Sequence, residues 1–401
     1  MNKKTIIKIV SSCFSAGILA CPAITSSINT NNTSVNKKDI VLNDTIDNTV
    51  KNDDPKTSNS KVNYLSEIIS VAANRVIELV EGNVEATGTI NLCLVKEYQQ
   101  DNMTFKYAYH MVGNNNLVTN ENCTYKIIPS IDIEGYGEYE ITRITDQVFG
   151  QTTKGKIIIS DTLTHIYNGF NNSGVNEIDF SQAKSLKIIG ERSFSGCLNL
   201  TSIDFSNATK LEKIEYSAFS YCNAITSINF TGATSLESIE YEAFKGCSGL
   251  GSLEDGLKIN CPSLKYLGEG VFYESNLKKI DLFSTSIVEI GADCFYGSEE
   301  LTKVILPNTL QRIYQEAFAC CTKLTTVNLN ECENLYRIDG GVFRECDLQP
   351  AIIFPKKLQQ IGNNTFSGNI NLQNIDFTNC TKLKKIEPYA FSGCNRLSGK
   401  L

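Results

Sequence analysis

A chain of 401 residues, 41% hydrophobic and 20% charged, has enough apolar material for a substantial core and is excluded from disorder throughout. Its 37 basic and 44 acidic residues give a formal charge of −7, so it lacks the positive surface that draws nucleic-acid phosphates. With two histidines, His110 and His165, there is little material for His-based acid–base chemistry or metal ligation.

The N-terminus reads as an export address: MNKKTIIK is basic, and IVSSCFSAGILA is a short apolar stretch ending in small residues. Two cleavage routes fit. Gly17-Ile18-Leu19-Ala20-Cys21 resembles a bacterial lipobox, in which Cys21 would carry lipid. The other route is ordinary secretory cleavage around Ala20 or Ala23. No later stretch is apolar enough to span a bilayer, so any membrane association would come from Cys21 or a partner. Residues 26–60 are rich in Asn, Ser, Thr, Asp and Lys and contain no aromatic residue, the composition of a tether. A coil of that length reaches about 35 Å.

Residues 62–82 place Leu65, Ile68, Ile69, Ala72, Val76 and Leu79 on one side of a 3.6-residue helix, with Gly82 as its stop. Residues 88–140 read as short strands and turns. Together, 61–140 form an expected small α+β cap over the apolar end of the chain beyond residue 140, or alternatively a small functional domain of its own.

From residue 141 the chain repeats. Phenylalanine recurs at 149, 170, 194, 219, 244, 272, 295, 318, 343, 366 and 391, a mean spacing of about 24. Eight residues before ten of these eleven lies Leu or Ile, and five before the same ten lies a second, as in Leu211 and Ile214. Phe170 is the exception, with Leu163 and Ile166 displaced by one residue. After the Phe comes another apolar pair, such as Leu200 and Ile203 or Ile225 and Ile228. The unit is L-x-x-I-x-x-x-A-F-x-G-C-x-x-L-x-x-I-x-F, seen clearly in LEKIEYSAFSYCNAITSINF at 211–230. Such a period with L-x-x-I-x-F inside it predicts a repeat solenoid, a leucine-rich-repeat array whose coils each add a strand to a parallel β-sheet. The A-F-x-G-C-x-x-L-x-x-I segments resemble the BspA-like leucine-rich-repeat surface proteins over 141–401. The resemblance implies an exported, surface-displayed array that binds or adheres. The family often ends the strand in Leu-Pro or Ile-Pro, whereas here only Leu306-Pro307 and Phe354-Pro355 do so.

Cysteine lies three residues after the repeat Phe at 197, 222, 247, 321, 346 and 394. The register points these side chains inward, as a ladder of small buried thiols. Disulfides between coils are the competing reading, disfavoured by parallel side-chain directions and by an odd number of cysteines beyond Cys13 and Cys21. Cys93 and Cys123 are the best disulfide candidates. Cys320, Cys321, Cys332 and Cys346 lack the close ligand pairs of a zinc site, and no metal or cofactor is expected. No G-x-S-x-G, H-E-x-x-H or phosphate-loop motif occurs, so no catalytic residue is assigned.

In L-x-x-I-x-F the apolar residues face inward, and the residues between them face outward. One outward row holds Asp179, Asp204, Asn229, Asp281, Asn328 and Asp376, broken by Ile305. A second holds Ser202, Ser227, Lys279, Lys303, Thr326 and Asn374. Either row suits a protein or glycan ligand, although any solenoid needs polar residues there. The expectation is a non-catalytic recognition protein whose partner is an extracellular or host-surface protein or glycan. The rivals are a self-assembling structural protein and an enzyme sited in 61–140.

Overall fold

The computed structural model describes residues 64–98, 104–111, 117–135 and 137–398. The export signal with Cys21, and the tether, lie outside the described residues.

The helix expected over 62–82 is instead two strands, β1 (Tyr64–Ala72) and β2 (Ile77–Glu81), joined by a 3₁₀ turn at Ala73–Arg75. The stretch is dense in β-branched residues, and Val71, Ala73, Val76 and Ile77 are buried. Tertiary pairing decides the matter: all nine residues of β1 pair antiparallel with β3 (Thr89–Tyr98). The cap continues with β4 (Thr104–Met111), β5 (Thr124–Ile127), β6 (Ser130–Ile133) and β7 (Gly137–Ile144). No α-helix is found among the described residues. Cys123 is a buried free thiol packed against Gly82, so it forms no bridge with Cys93, whose side chain lies outside the described residues.

Beyond the cap the chain winds into the expected parallel solenoid, but each coil contributes two strands rather than one. The unbroken ladder uses the L-x-x-I segment ahead of the Phe. It runs β1-β3-β4-β7 and then through ten two-residue strands, from His165–Ile166 to Lys385–Ile386. The L-x-x-I-x-F segment after the Phe makes four separate short ladders. One holds β2, β5, Lys156–Ile158 and Glu177–Asp179, and a second pairs Ser202–Asp204 with Ser227–Asn229. The third holds Leu257–Lys258, Lys279–Asp281, Lys303–Ile305 and Thr326–Val327, and the last pairs Ala351–Ile353 with Asn374–Asp376. The difference comes from spacing. Leu to Phe is a constant eight residues in the regular coils, so register is kept there. All variation in the period falls between the Phe and the next Leu, where 3₁₀ turns at Ser248–Ser252 and Leu329–Glu331 interrupt the second strand.

The Phe turn is a third hydrogen-bonded row. In each step from Phe170 on, the N–H groups two before, at, and two after the Phe donate to the next coil, as Ser217, Phe219 and Tyr221 do to Tyr241 (2.9 Å), Ala243 (2.8 Å) and Lys245 (2.7 Å). Alternate N–H groups point the same way because the backbone is left-handed on both sides of the ring. Ser217 has φ 50°, Tyr221 59° and Gly246 68°. This accounts for the glycine of A-F-x-G-C, which alone takes that conformation without side-chain strain.

Inside, the phenylalanines stack coil on coil from Phe149 to Phe391, with centroids 4.2 Å apart at Phe149–Phe170, 5.0 Å at Phe194–Phe219 and 5.3 Å at Phe366–Phe391. A second aromatic column, Phe180, Phe205 and Phe230, meets it edge-on. The cysteines form the thiol ladder, each donating to the Phe carbonyl of the preceding coil. Cys197 reaches Phe170 at 3.0 Å, Cys222 reaches Phe194 at 2.9 Å, and Cys346 reaches Phe318 at 3.1 Å. In coils without the cysteine another small donor takes its place: Ser298 reaches Phe272 at 3.2 Å and Asn369 reaches Phe343 at 2.8 Å. The position therefore asks for a compact donor rather than for sulfur. Cys222→Val, which keeps the bulk and removes the donor, is expected to lower unfolding stability by about 1 kcal/mol. Cys222→Ser is expected to keep more of that stability in urea denaturation, because serine still donates.

Candidate recognition face

The sequence-predicted strand-face residues lie on the short ladders, except Asn328 just past the end of Thr326–Val327, and register brings several of them side by side. Ser202 pairs with Ser227, Asp204 with Asn229, Lys279 with Lys303, and Lys303 with Thr326. They do not form one continuous row, since Lys258 faces Asp281, and Asp281 then faces Ile305. Asn374 and Asp376 sit opposite Ala351 and Ile353.

Much of the acidic row is engaged locally. Asp179, Asp204, Asn229, Asp281 and Asp376 each accept the N–H two residues on, at 2.8–3.0 Å, closing turns at the strand ends. Asn328 is turned onto the neighbouring coil, donating to Leu306 O and accepting from Leu306 N at 2.7 Å, where it replaces ladder bonds. Asp179 also holds Lys156 at 2.9 Å. Burial pushes its carboxyl upward, but hydrogen bonds from Ser181 and Lys156 outweigh this and hold it below its ordinary value. These residues are therefore turn formers first, each with one side-chain oxygen already engaged.

The wider polar surface lies on the unbroken ladder, in the residues flanking each buried Ile. Along it, the residues before the Ile are His165, Ile188, Lys213, Ser238, Tyr266, Glu289, Arg312, Arg337, Gln360 and Lys385. Those after the Ile include Glu215, Glu240, Tyr314, Asp339 and Glu387. These positions vary in charge and size while the residue between them is Ile in every strand but one, where it is Leu267, and is buried in all but the last. His165 does not supply a base near neutrality. Burial, with Arg143 and Lys187 nearby, lowers its pKa to about 4, and its Nδ1 lies 2.8 Å from the Thr164 hydroxyl. The buried repeat thiols Cys261 and Cys332 are equally inert as nucleophiles, with burial pushing them up to about 12. Among the described residues no three His, Cys, Asp or Glu side chains converge on a metal position.

The face is most structured where Arg312, Arg337 and Asp339 meet. Arg312 donates through Nε (3.1 Å) and Nη2 (2.7 Å) to one Asp339 oxygen, and Arg337 Nε donates to the other at 2.5 Å. The Asp339 side chain is only 11% exposed, against 38% for Arg337, so the carboxylate is occupied internally while one guanidinium faces out. Arg312 also lies 4.0 Å over the ring of Tyr314. Beside this triad opens a cleft of about 400 Å³, bounded by Glu316, Gly340, Gly341, Arg344, Gln360, Asn363 and Glu387. Gly362 is imposed by coil stacking, because a Cβ there would meet the Asp339 backbone at 2.4 Å, and at Gly340 a Cβ would meet the Asn363 side-chain oxygen. Sequence reasoning passed over these residues by assigning the strand to the segment after the Phe. The repeated Arg-Ile at 312–313 and 337–338 was the available signal.

The Lys156–Asp179 pair gives a test with a defined sign. Because the folded Asp179 value is depressed, its stabilisation is present above the ordinary 3.8 and is lost as pH falls through the folded value. Asp179→Asn is expected to cost less than about 1 kcal/mol at neutral pH, since the pair is partly exposed, and the cost should fade in acid denaturation profiles below 3.8.

The family described as "BspA type Leucine rich repeat region" matches residues 120–251, 252–351 and 330–399, in 6 copies. Its match thus begins ahead of residue 141. No individually curated protein matches the chain. Among solved structures, a leucine-rich repeat protein from Bacteroides ovatus is 22% identical, covering 76% of this chain and 91% of its own, with a TM-score of 0.32. The pneumococcal vaccine antigen PcpA is 18% identical over 78% of this chain and 87% of its own, with a TM-score of 0.39. A leucine rich cell surface protein from Faecalibacterium prausnitzii is 19% identical over 73% and 92%, with a TM-score of 0.33. With the repeat pattern matched over well more than half of its length, the chain belongs to the BspA-type leucine-rich-repeat family.

Proposed function

We propose that the protein is exported, displayed outside the cell through lipid on Cys21, and binds an extracellular protein or glycan without catalysis. The observation that carries this reading is the unbroken ladder, whose outward side chains are polar, varied and largely free of packing duties across ten coils. The basic start followed by a short apolar stretch supports export, and the Asn- and Ser-rich segment after it suits a stalk. Membership of a leucine-rich-repeat family supports recognition rather than turnover.

Two measurements test the reading. The purified chain is immobilised and offered extracellular-matrix proteins, mucins and glycans, beside a long-ladder variant (Glu240→Lys, Glu289→Lys) and a short-ladder variant (Asp204→Lys, Asp281→Lys, Asp376→Lys). Binding is expected to weaken by at least about tenfold in the long-ladder variant. Loss only in the short-ladder variant moves the site to the rows singled out from sequence. Failure to capture any ligand, with concentration-dependent self-association, replaces recognition by assembly. Cys21→Ser is expected to release the protein from membranes, and unchanged membrane partition of that variant would sink the lipid anchor.

A further inference from the structure

We propose that the cleft beside Arg337 is a subsite for the carboxylate of an acidic saccharide. This rests on the recognition reading above and narrows it to one ligand chemistry at one place.

Donors are left over once the internal pairings are made. Arg312, Arg337 and Asp339 together carry one net positive charge, and both Asp339 oxygens are already taken. Arg337 commits only Nε to Asp339, and its two Nη groups make no hydrogen bond among the described residues. They form a planar pair of donors, positioned by the carboxylate behind them, which is the geometry that a carboxylate matches with both oxygens. Across the cleft, Arg344 is paired with both Glu316 and Glu345, each at 3.0 Å, and Glu387 with Lys385 at 2.9 Å, two basic groups against three acidic ones. The cleft and its flanks are therefore balanced overall, and what Arg337 contributes is its pair of unused donors.

The walls then select what carries the carboxylate. They are guanidinium, carboxylate and amide groups and glycine backbone, with almost no apolar surface. An anchoring apolar side chain of a protein partner would gain nothing by entering. A saccharide brings hydroxyls that pair with Gln360 and Asn363, and the volume of about 400 Å³ suits one or two sugar rings.

Titration calorimetry of the full chain tests this with tetragalacturonic acid and sialyllactose as acidic probes, neutral galactotetraose as the uncharged match, and an Asp- and Glu-rich peptide as the rival carboxylate source. An acidic saccharide is expected to bind at least about tenfold more tightly than the neutral one and the peptide. Arg337→Gln should lose about tenfold or more of that affinity, and Arg337→Lys, which keeps charge but not the planar pair, should fall between, both with an unchanged thermal midpoint. Equal binding of acidic and neutral saccharides, no binding of either acid, preference for the peptide, or indifference to Arg337→Gln overturns the subsite. A surface ligand still retained by Arg337→Gln leaves the recognition reading standing while the subsite falls, so the two failures are distinguishable.

Discussion

Everything in this fold depends on the Phe turn. There the chain reverses around a buried ring, sends three N–H groups to the next coil, and stacks that ring on its neighbour about 5 Å away, as at Phe194–Phe219 (5.0 Å). The same Phe carbonyl accepts the N–H three residues on and the thiol, hydroxyl or amide of the next coil, as Phe194 does from Cys197 N (3.2 Å) and Cys222 Sγ (2.9 Å). Burying a carbonyl is tolerable only when it is satisfied. That requirement explains a column of cysteines without invoking bridges between them, and why serine and asparagine substitute where cysteine is missing.

Because the turn fixes both the ring and the strand five residues ahead of it, the unbroken ladder inherits its register from the turn. The short ladders inherit nothing of the kind, and two of their breaks fall at the 3₁₀ turns at Ser248–Ser252 and Leu329–Glu331. The recognition face arises from the same asymmetry. A surface held at constant spacing over ten coils keeps its side chains in fixed relation, so Arg312, from one coil, can meet Asp339 and Arg337, from the next.

The solenoid was legible in the sequence because its determinant is periodic: Leu186, Ile189 and Phe194 recur with little change, and inward positions are nearly all apolar. What was not legible had no period. Residues 64–81 satisfy a helical stripe and a strand alternation equally, and only pairing with Thr89–Tyr98 separates them. The long-ladder face was passed over for a related reason. L-x-x-I-x-F has the outward-facing polar residues that mark a strand, yet Asp204 and Asp376 there close turns, while the two-residue strands at Lys213 or Arg337 are too short to show alternation. The Arg312–Asp339–Arg337 triad brings Arg312 onto a carboxylate 27 residues on and leaves no local trace beyond its repeated Arg-Ile.

The thiol column has a bearing on durability. A protein carrying many free cysteines into an oxidising medium would ordinarily be exposed to scrambling, since thiolates attack disulfides and oxidants. Here burial raises the thiols far above their usual ionisation and the stacked coils deny access, so reactivity is gated by the opening of a coil rather than by the medium. Oxidation then works as a ratchet. A coil that stays closed keeps its sulfur reduced indefinitely, while one that opens long enough to be oxidised carries a bulkier, polar sulfur that no longer fits beneath the phenylalanine stack, turning a transient fluctuation into a permanent defect at that step of the array.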